Sequence, residues 1–198
     1  MIAVDVDEVL FPFMEHFNLH DNAVHGGALT PQDFPTYRFQ HDLNISLEEA
    51  LARVYSFNGA DHEHIKSIDE AQTAIDDLAV RFDLVVITAR HPQFEDNTRK
   101  WIDRNFTGKF SNVVHIGYAE VMKNPRTKVE VCQEMGAMAL IDDSPGHVSE
   151  CAAKGIDGVL FGNYPWNQDR IFSDAGIPKG VVRCEDWKQV VEYFDGRS

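Results

Sequence analysis

Apolar residues along the chain fall into short runs separated by stretches with helical spacing, and this alternation is the first structural signal in the sequence. Runs of mainly apolar, often β-branched residues predict buried strands at residues 2–4, 84–88, 113–116, 137–141 and 158–161. Apolar residues at three- and four-residue spacing predict helices over about 50–57, 71–82, 98–106, 128–135 and 145–155. This alternation predicts an α/β fold with a doubly wound parallel sheet that is covered by helices on both faces.

The segment between the first two predicted strands departs from this alternation. A helix is expected to begin within residues 11–17, whereas residues 18–37 are rich in glycine, proline and polar side chains and predict a loop. We therefore predict a small helical cap at residues 14–65, inserted after the first strand. The α/β core is then formed by residues 1–13 and 66–198.

Three capping boxes predict where helices begin. In each box a serine or threonine is followed three residues later by glutamate, and the boxes start at Ser46, Ser67 and Thr127. The first two boxes predict helices on either side of the end of the cap. The third predicts that Lys128 is the first residue of its helix.

Composition narrows the choice of partner and compartment. The chain has 18 basic and 32 acidic residues and a formal net charge of −14, which argues against binding to nucleic acid or to an anionic membrane. Its three cysteines lie far apart and indicate reduced thiols. No run is apolar and long enough to span a bilayer, and the first 20 residues lack the features of a secretory signal. We expect a cytoplasmic protein that acts on a small molecule, and the sequence leaves its oligomeric state open.

Acidic residues stand at the ends of the first and fourth predicted strands. Asp5 and Asp7 follow the first strand, and Asp142 and Asp143 follow the fourth. Taken alone, an Asp-x-Asp pair is also typical of a solvated acidic turn. Ligands of parallel sheets bind at the carboxyl ends of the strands, so we expect these side chains to converge with Thr88, at the end of the second strand. Carboxylates that meet in one place repel each other, and a hard divalent cation such as Mg²⁺ removes that conflict.

Lys128 and Thr88 each have an ordinary and a functional interpretation. Lys128 begins a predicted helix, where its positive charge costs roughly a few tenths of a kcal/mol. Its side chain either extends into solvent or holds an anion beside the acidic residues. Thr88 is either an ordinary β-branched strand residue or, together with the backbone of Ala89, a hydrogen-bond donor to phosphate oxygens.

Four motifs, taken in order, carry a family resemblance. They are Asp5-Val6-Asp7-Glu8-Val9 after an apolar strand, Val86-Ile87-Thr88-Ala89-Arg90, Lys128 at a helix start, and Leu140-Ile141-Asp142-Asp143-Ser144. The set resembles the motifs of the haloacid dehalogenase superfamily of phosphohydrolases. Within that superfamily, the helical insertion and the segment Asn163-Tyr164-Pro165-Trp166-Asn167 resemble the cytosolic-type 5′(3′)-deoxyribonucleotidases.

The resemblance implies a role for each motif. Asp5 is expected to attack the phosphorus of a monoester and form an aspartyl-phosphate, while Asp7 acts first as general acid and then as general base. The expected ligands of Mg²⁺ are Asp5, the main-chain carbonyl of Asp7, and one or both of Asp142 and Asp143, with Asp143 preferred. The residues expected to bind the phosphoryl oxygens are Thr88, Ala89 through its backbone, and Lys128.

The cap is expected to act as a lid that excludes water and recognises the leaving group. Phe13 occupies the position at which related nucleotidases place an aromatic residue against the base. The further candidates for substrate binding are Tyr37, Phe39 and Arg90. Aromatic residues on a lid are nevertheless more often part of its core.

The histidine and tryptophan residues give weaker indications of function. His16 and His20 have the spacing of a zinc pair on a helix, but no third ligand is evident, which favours ordinary surface histidines. The segment His62-Glu63-His64 predicts a solvated loop. Trp166 and Trp187 are expected to be packing anchors.

The leading hypothesis is a Mg²⁺-dependent phosphomonoesterase that hydrolyses a nucleoside monophosphate. A sugar phosphatase or a polynucleotide 3′-phosphatase on the same fold is the alternative enzyme, and the acidic charge argues against the second of these. A non-catalytic phosphate-binding module is the alternative from another class. Because a pure binder has no need of Asp7 as an acid, the full set of motifs favours the enzyme.

Overall fold

A six-stranded sheet, all parallel, forms the centre of the computed structural model, which describes residues 1–119, 121–168, 172 and 176–197. The strands are β1 (Ile2–Val4), β2 (Leu84–Thr88), β3 (Phe110–His115), β4 (Ala139–Asp142), β5 (Asp157–Phe161) and β6 (Val181–Cys184). Their order across the sheet is β3-β2-β1-β4-β5-β6. The direction of winding therefore reverses between β1 and β4, which confirms the predicted doubly wound α/β fold.

Eight α-helices accompany the strands in the part of the chain that the structure describes. They are α1 (Phe13–His25), α2 (Phe39–Asp42), α3 (Leu47–Asn58), α4 (Ala71–Arg81), α5 (Glu95–Asn105), α6 (Lys128–Met135), α7 (Pro145–Ala153) and α8 (Trp187–Asp195). Short 3₁₀ turns at Pro31–Asp33 and Pro92–Phe94 precede α2 and α5. Helices α1 to α3 and the first of these turns lie between β1 and α4, in the region predicted to be a cap.

Both faces of the central strands are buried. Along β1, Ile2 and Val4 join one apolar cluster with residues of α4, α5 and α8, whereas Ala3 joins a second cluster with residues of α6 and α7. Because side chains alternate between the faces of a strand, burial on both sides requires a continuous apolar run. This explains why the central strands are readable in the sequence.

The predicted loop at residues 18–37 is wrong at its beginning, because α1 continues to His25. The helix ends where Gly26 adopts a left-handed conformation, with φ of 74°, and donates its N–H to the carbonyl of Asn22. The second half of α1 exposes Leu19 while it buries Asp21, at 62% and 2% exposure. This inverted pattern hid the helix, since a prediction from periodicity assumes that the apolar side faces inward.

The three predicted capping boxes fare differently. The box at Thr127 is complete, since its hydroxyl accepts from the Glu130 N–H and the Glu130 carboxylate accepts from the Thr127 N–H. Ser46 caps α3 by accepting from the Glu49 N–H. The box at Ser67 is wrong, because α4 begins at Ala71, after the positive-φ residue Glu70, without a side-chain cap.

A contact distant in sequence explains the missing cap. The N–H of Ile68 donates to the carbonyl of Leu10 at 2.9 Å, and the N–H of Ala71 then donates to the carbonyl of Ile68 at 3.1 Å. The chain is thus held against the loop after β1 before the helix begins. A local motif cannot anticipate such a constraint.

The last strand and the last helix have no counterpart in the sequence prediction. Strand β6 lies at the sheet edge and its residues 181–183 are half-buried, so it lacks the continuous apolar run of a central strand. Helix α8 does carry the signal, with Trp187, Val190 and Phe194 buried on one face and an Asp186 cap. No helix in the described part of the chain has the length and apolar character needed to cross a membrane.

The predicted cap packs directly on the α/β part. The ring of Phe11 contacts Phe57 of α3 and Trp101 of α5, with centroid distances of 6.2 and 4.9 Å. One apolar cluster contains Phe17, Phe34 and Phe57 together with the core residues Val4 and Leu78. The insertion therefore sits above the carboxyl edge of β1 on a shared hydrophobic core.

Candidate active site

A cavity of about 690 Å³ lies at the carboxyl ends of β1, β2 and β4, where the winding of the sheet reverses. Nine of the eleven predicted site residues line it: Asp5, Asp7, Phe13, Tyr37, Phe39, Ala89, Lys128, Asp142 and Asp143. The other two, Thr88 and Arg90, are 0% and 2% exposed and lie behind its wall. Residues separated by more than 130 positions along the chain are thus brought to one site, as the strand-end argument predicts.

Three buried carboxylates form the floor of the cavity. Asp5, Asp142 and Asp143 each offer one oxygen within 4.8 Å of the others, and they are the only such group among the described residues. Burial, followed by the neighbouring Asp142 and Asp5, raises the pKa of Asp143 well above its usual value. Burial also raises the pKa of Asp5 to about 7, against the opposing effect of Lys128. Oxygen donors with this excess of negative charge fit a hard divalent cation.

Lys128 lies within the acidic cluster and not in solvent. Its Nζ is 2.7 Å from Asp5 Oδ1 and 2.7 Å from Asp142 Oδ2, and its side chain is 1% exposed. Although burial lowers the pKa of Lys128, the two carboxylates outweigh it and raise that pKa. The Thr127 cap begins α6 at Lys128 and so directs this side chain to the strand ends.

Asp142 and Asp143 have different surroundings although they are adjacent. Asp142 accepts from Lys128, from the Ser144 N–H at 2.9 Å and from the His147 ring at 3.3 Å. Burial raises the pKa of Asp142, but Lys128 and His147 outweigh it and hold that pKa well below its usual value. Asp143 Oδ2 accepts only from the Trp166 indole, at 2.6 Å, among the described residues. Asp143 is therefore the less neutralised of the pair.

Trp166 does more than the predicted anchoring. It is buried, as expected, and stacks on Tyr164 with a centroid distance of 4.9 Å and an interplanar angle of 5°. The second aromatic ring that contacts Trp166 is that of Tyr37, with a centroid distance of 4.6 Å. An aromatic column therefore connects the cap to Asp143, and the sequence signal for it is the resemblance of the segment after β5.

Asp7 and Arg90 form an ion pair beside the floor. The Arg90 Nη2 lies 2.6 Å from Asp7 Oδ1, and the Asp7 side chain is 17% exposed toward the cavity. Thr88 accepts from the Arg90 backbone N–H at 3.2 Å. Neither Thr88 nor Arg90 presents its side chain to the cavity, whereas Ala89 between them does line it.

Aromatic side chains form another part of the cavity lining: Phe13, at the end of the first core segment, and Tyr37 and Phe39 within residues 14–65. Phe13 is 3% exposed and stacks on Phe17 at 5.6 Å, and Phe39 meets Phe13 edge to face at 6.3 Å. Tyr37 adopts a positive φ of 56°. These rings pack into the hydrophobic core and also border the cavity, and their contact with a substrate base stays a prediction.

Basic residues on the cavity wall were not expected from the sequence. They are Arg38, Arg126, His41 and His147. In a chain of net charge −14, the two arginines place positive charge beside the cavity. Isolated basic residues in loops and near helix ends give no sequence signal for such a grouping.

His16, His20 and His62 lie outside this cavity. His20 contacts Ser56 Oγ at 2.9 Å, and the described residues contain no group of three metal ligands around His16 and His20. The prediction of a solvated loop is wrong for His62, which is 5% exposed and packs against Phe11 and Phe57. Burial, followed by the charge of Arg90, lowers the pKa of His62 to about 4.

Solved structures with this architecture are hydrolases of the haloacid dehalogenase superfamily. A haloacid dehalogenase-like hydrolase from Streptococcus pneumoniae has a TM-score of 0.70 at 12% identity, over 98% of this chain and 97% of that chain. A predicted phosphoglycolate phosphatase from Haemophilus somnus has a TM-score of 0.68 at 12% identity, over 98% and 96%. A hydrolase of the superfamily from Bacillus subtilis, solved with magnesium bound, has a TM-score of 0.63 at 15% identity, over 98% and 97%. These likenesses show the fold.

Sequence comparison gives the family. No curated protein matches the chain significantly. The family model described as "5' nucleotidase, deoxy (Pyrimidine), cytosolic type C protein" matches residues 1–194. This match confirms the resemblance carried by the four motifs. The chain therefore belongs to the cytosolic type C 5′-nucleotidase family and is a phosphoric monoester hydrolase with a haloacid dehalogenase fold.

Proposed function

We propose that this protein is a Mg²⁺-dependent phosphatase that hydrolyses (deoxy)nucleoside monophosphates through an aspartyl-phosphate. The observation that carries the proposal is the meeting of Asp5, Asp7, Lys128 and the Asp142-Asp143 pair at one cavity. The cavity is large enough for a mononucleotide, and aromatic side chains line it together with the carboxylates. The family match supports the nucleotide as substrate.

Asp5 is the nucleophile in this proposal. It stands at the cavity wall with Lys128 at 2.7 Å from its Oδ1, which favours its ionised form. One Asp5 oxygen forms a bond to phosphorus while the bond from phosphorus to the ester oxygen breaks. The product is an aspartyl-phosphate and a free nucleoside.

Asp7 moves the proton in both halves of the reaction. In the first, its protonated carboxyl gives a proton to the departing ester oxygen. In the second, the resulting carboxylate takes a proton from the water that attacks the phosphorus of the aspartyl-phosphate. That attack breaks the bond to Asp5 and releases inorganic phosphate, so Asp5 and Asp7 return to their starting states.

Asp5, the main-chain carbonyl of Asp7, and Asp143 would hold Mg²⁺. When bound, the ion supplies charge that neutralises the nucleophile and the phosphoryl oxygens. Asp143 remains the preferred ligand of the acidic pair, because Asp142 is already paired with Lys128, Ser144 and His147. The proposed binders of the phosphoryl group are Lys128 and the backbone of Ala89, with Thr88 supporting the loop through its contact to the Arg90 N–H.

Substrate recognition is assigned to Phe13 and to the cap in this proposal. Phe13, Tyr37 and Phe39 border the cavity and would face the nucleoside. Residues 14–65 would then work as the lid of a core formed by residues 1–13 and 66–198. The cytoplasm is the proposed compartment, which accords with three cysteines that are all free.

A panel of nucleoside and sugar monophosphates assayed with Mg²⁺ and with EDTA tests the function. We expect phosphate release from nucleotides that requires Mg²⁺ and that falls roughly 10³-fold or more in Asp5→Asn. The near-isosteric change keeps the fold, which circular dichroism checks. A preference for sugar phosphates would identify the alternative enzyme, and binding of phosphate without turnover would identify the non-catalytic module.

A further inference from the structure

We propose that Arg90 is the positioning residue for Asp7, holding its carboxyl group toward the leaving oxygen, and that Arg90 does not bind the substrate. The inference rests on the proposed function and replaces the substrate-binding role expected for Arg90 from the sequence. It follows from the contacts, the anchoring and the location of the guanidinium group.

The contacts between the two side chains are extensive. Arg90 Nε lies 3.1 Å from both Asp7 oxygens, and Arg90 Nη2 lies 2.6 Å from Oδ1. Among the described residues, no other group donates a hydrogen bond to the Asp7 carboxylate. The orientation of Asp7 therefore depends on Arg90, because a paired, planar guanidinium restricts a carboxylate that would otherwise rotate.

Arg90 is itself held on every side. Its guanidinium carbon lies 4.6 Å from the centroid of the Phe11 ring, and its Nη1 contacts Thr98 Oγ1 at 3.4 Å. Its backbone N–H donates to Thr88. A side chain that is 2% exposed and anchored by a ring and two threonines is preorganised for one partner.

The location separates Arg90 from the substrate. Asp7 and Ala89 line the cavity and Arg90 does not. A phosphoryl group in the cavity therefore meets the Asp7 carboxyl and the Ala89 backbone before it could reach the guanidinium. Arg90 acts on the reaction through Asp7.

A comparison of leaving groups separates a positioning role from phosphate binding. Alkyl leaving groups, such as the 5′-oxygen of a nucleoside, need a proton from the general acid, whereas p-nitrophenolate departs without one. The comparison is made in kcat/KM, which covers only the steps up to departure of the leaving group, because the hydrolysis of the aspartyl-phosphate that Asp7 also assists is common to both substrates. In Arg90→Met we expect kcat/KM for a nucleoside 5′-monophosphate to fall roughly 10- to 100-fold, since a misplaced acid loses part of its contribution. We expect kcat/KM for p-nitrophenyl phosphate to fall less than about threefold.

Further variants make the test independent of folding. Arg90→Lys keeps the charge and should recover part of the lost kcat/KM on the nucleotide. Thr98→Val removes a contact to Arg90 without touching Asp7 and should give a smaller loss with the same leaving-group dependence. Arg104→Met changes an arginine of α5 whose side chain is 58% exposed, and it should leave both substrates unaffected. Thermal unfolding of each variant shows whether it is folded at the assay temperature.

A double-variant comparison completes the experiment. If Arg90 acts through Asp7, adding Arg90→Met to Asp7→Asn should lower kcat/KM no further. Equal losses of kcat/KM on both substrates would overturn the inference and identify Arg90 as a phosphate ligand. Wild-type protein that hydrolyses neither substrate would instead refute the proposed function.

Discussion

At the scale of single residues, Lys128 is unfavourable for its own helix but pairs with two buried carboxylates of the site. A lysine at the first position of a helix opposes the helix dipole, at a cost of roughly a few tenths of a kcal/mol. In the folded protein it lies 2.7 Å from each of two buried carboxylates. It thereby offsets charge repulsion on the floor of the cavity that is far larger than the dipole term.

Replacing Lys128 with methionine should destabilise the protein by about 3 to 5 kcal/mol, because Asp5 and Asp142 stay buried while the cation that contacts both of them is removed. Urea unfolding in the presence of EDTA measures this, and turnover should be lost as well. Lys188→Met is the matched control, since that side chain is 74% exposed and its change should cost less than about 0.5 kcal/mol. Unchanged stability in Lys128→Met would contradict the prediction.

His62 gives the protein a sensitivity to acid. Burial and then Arg90 lower its pKa from 6.5 to about 4, so the unfolded chain binds a proton there more readily than the folded one. The contribution of neutral His62 to the free energy of unfolding is therefore fully present above about pH 6.5 and is lost as the pH drops toward 4. The loss amounts to about 3 kcal/mol, at about 1.4 kcal/mol for each pKa unit.

Replacing His62 with phenylalanine should flatten the acid side of the stability profile, because the ring contacts to Phe11 and Phe57 remain while the titrating group is gone. Unfolding free energies from urea titrations between pH 4.5 and 7.5 measure the slope. Part of the slope should remain in this variant, because burial also lowers the pKa of His115 to about 4. His64→Phe, at an exposed position, is the control, and the two variants should not share a profile.

At the scale of elements, the approach of α7 to β5 determines where the second acidic motif lies. A Cβ on Gly158 of β5 would stand 2.5 Å from the Val148 carbonyl oxygen of α7. The helix packs directly on the strand there, and α7 follows the loop that carries Asp143. A side chain at this glycine would push the helix, and with it the acidic loop, away from the sheet.

Gly158→Ala should therefore destabilise the protein by about 1 to 3 kcal/mol, because backbone has to move to admit one methyl group. Thermal or urea unfolding measures it, and a fall in turnover is expected with it. Gly196→Ala is the matched control, because nothing lies within 4 Å of a Cβ there and φ is −79°. Equal stability of the two variants would contradict this prediction and would show that α7 can move away from β5 without loss of stability.

At the scale of the whole molecule, the cap and the α/β part share one hydrophobic core. The cluster that contains Phe17 and Phe57 of the cap also contains Trp101 and Trp187. All three tryptophans lie outside residues 14–65. We therefore expect one cooperative unfolding transition, because neither part keeps its core when the other unfolds.

Tryptophan fluorescence and far-ultraviolet circular dichroism should give the same urea midpoint. Phe57→Ala opens a void in the shared core and should lower the free energy of unfolding by about 3 to 5 kcal/mol. Both midpoints should therefore shift together to lower urea concentration. Leu19→Ala, at a position 62% exposed on α1, should move neither. A separate early transition in circular dichroism alone would show that the cap unfolds independently.

What the sequence determined by itself follows from local rules. The central strands were readable because burial on both faces demands continuous apolar runs, and the acidic motifs stood out because carboxylates rarely end a buried strand without a reason. Parallel strands place their carboxyl ends at one edge, which predicts that Asp5, Asp7, Asp142 and Asp143 lie together. The complete box at Thr127 was equally local.

What only the tertiary structure decided depends on contacts between distant parts of the chain. Asp7 and Arg90 are 83 positions apart, and nothing in either motif indicates that the arginine faces the aspartate and not the substrate. The extension of α1, the start of α4 and the burial of His62 likewise depend on neighbours far away in sequence. The sequence pattern predicts the type and the ends of each element. The partner of a polar side chain depends on how all the elements pack together.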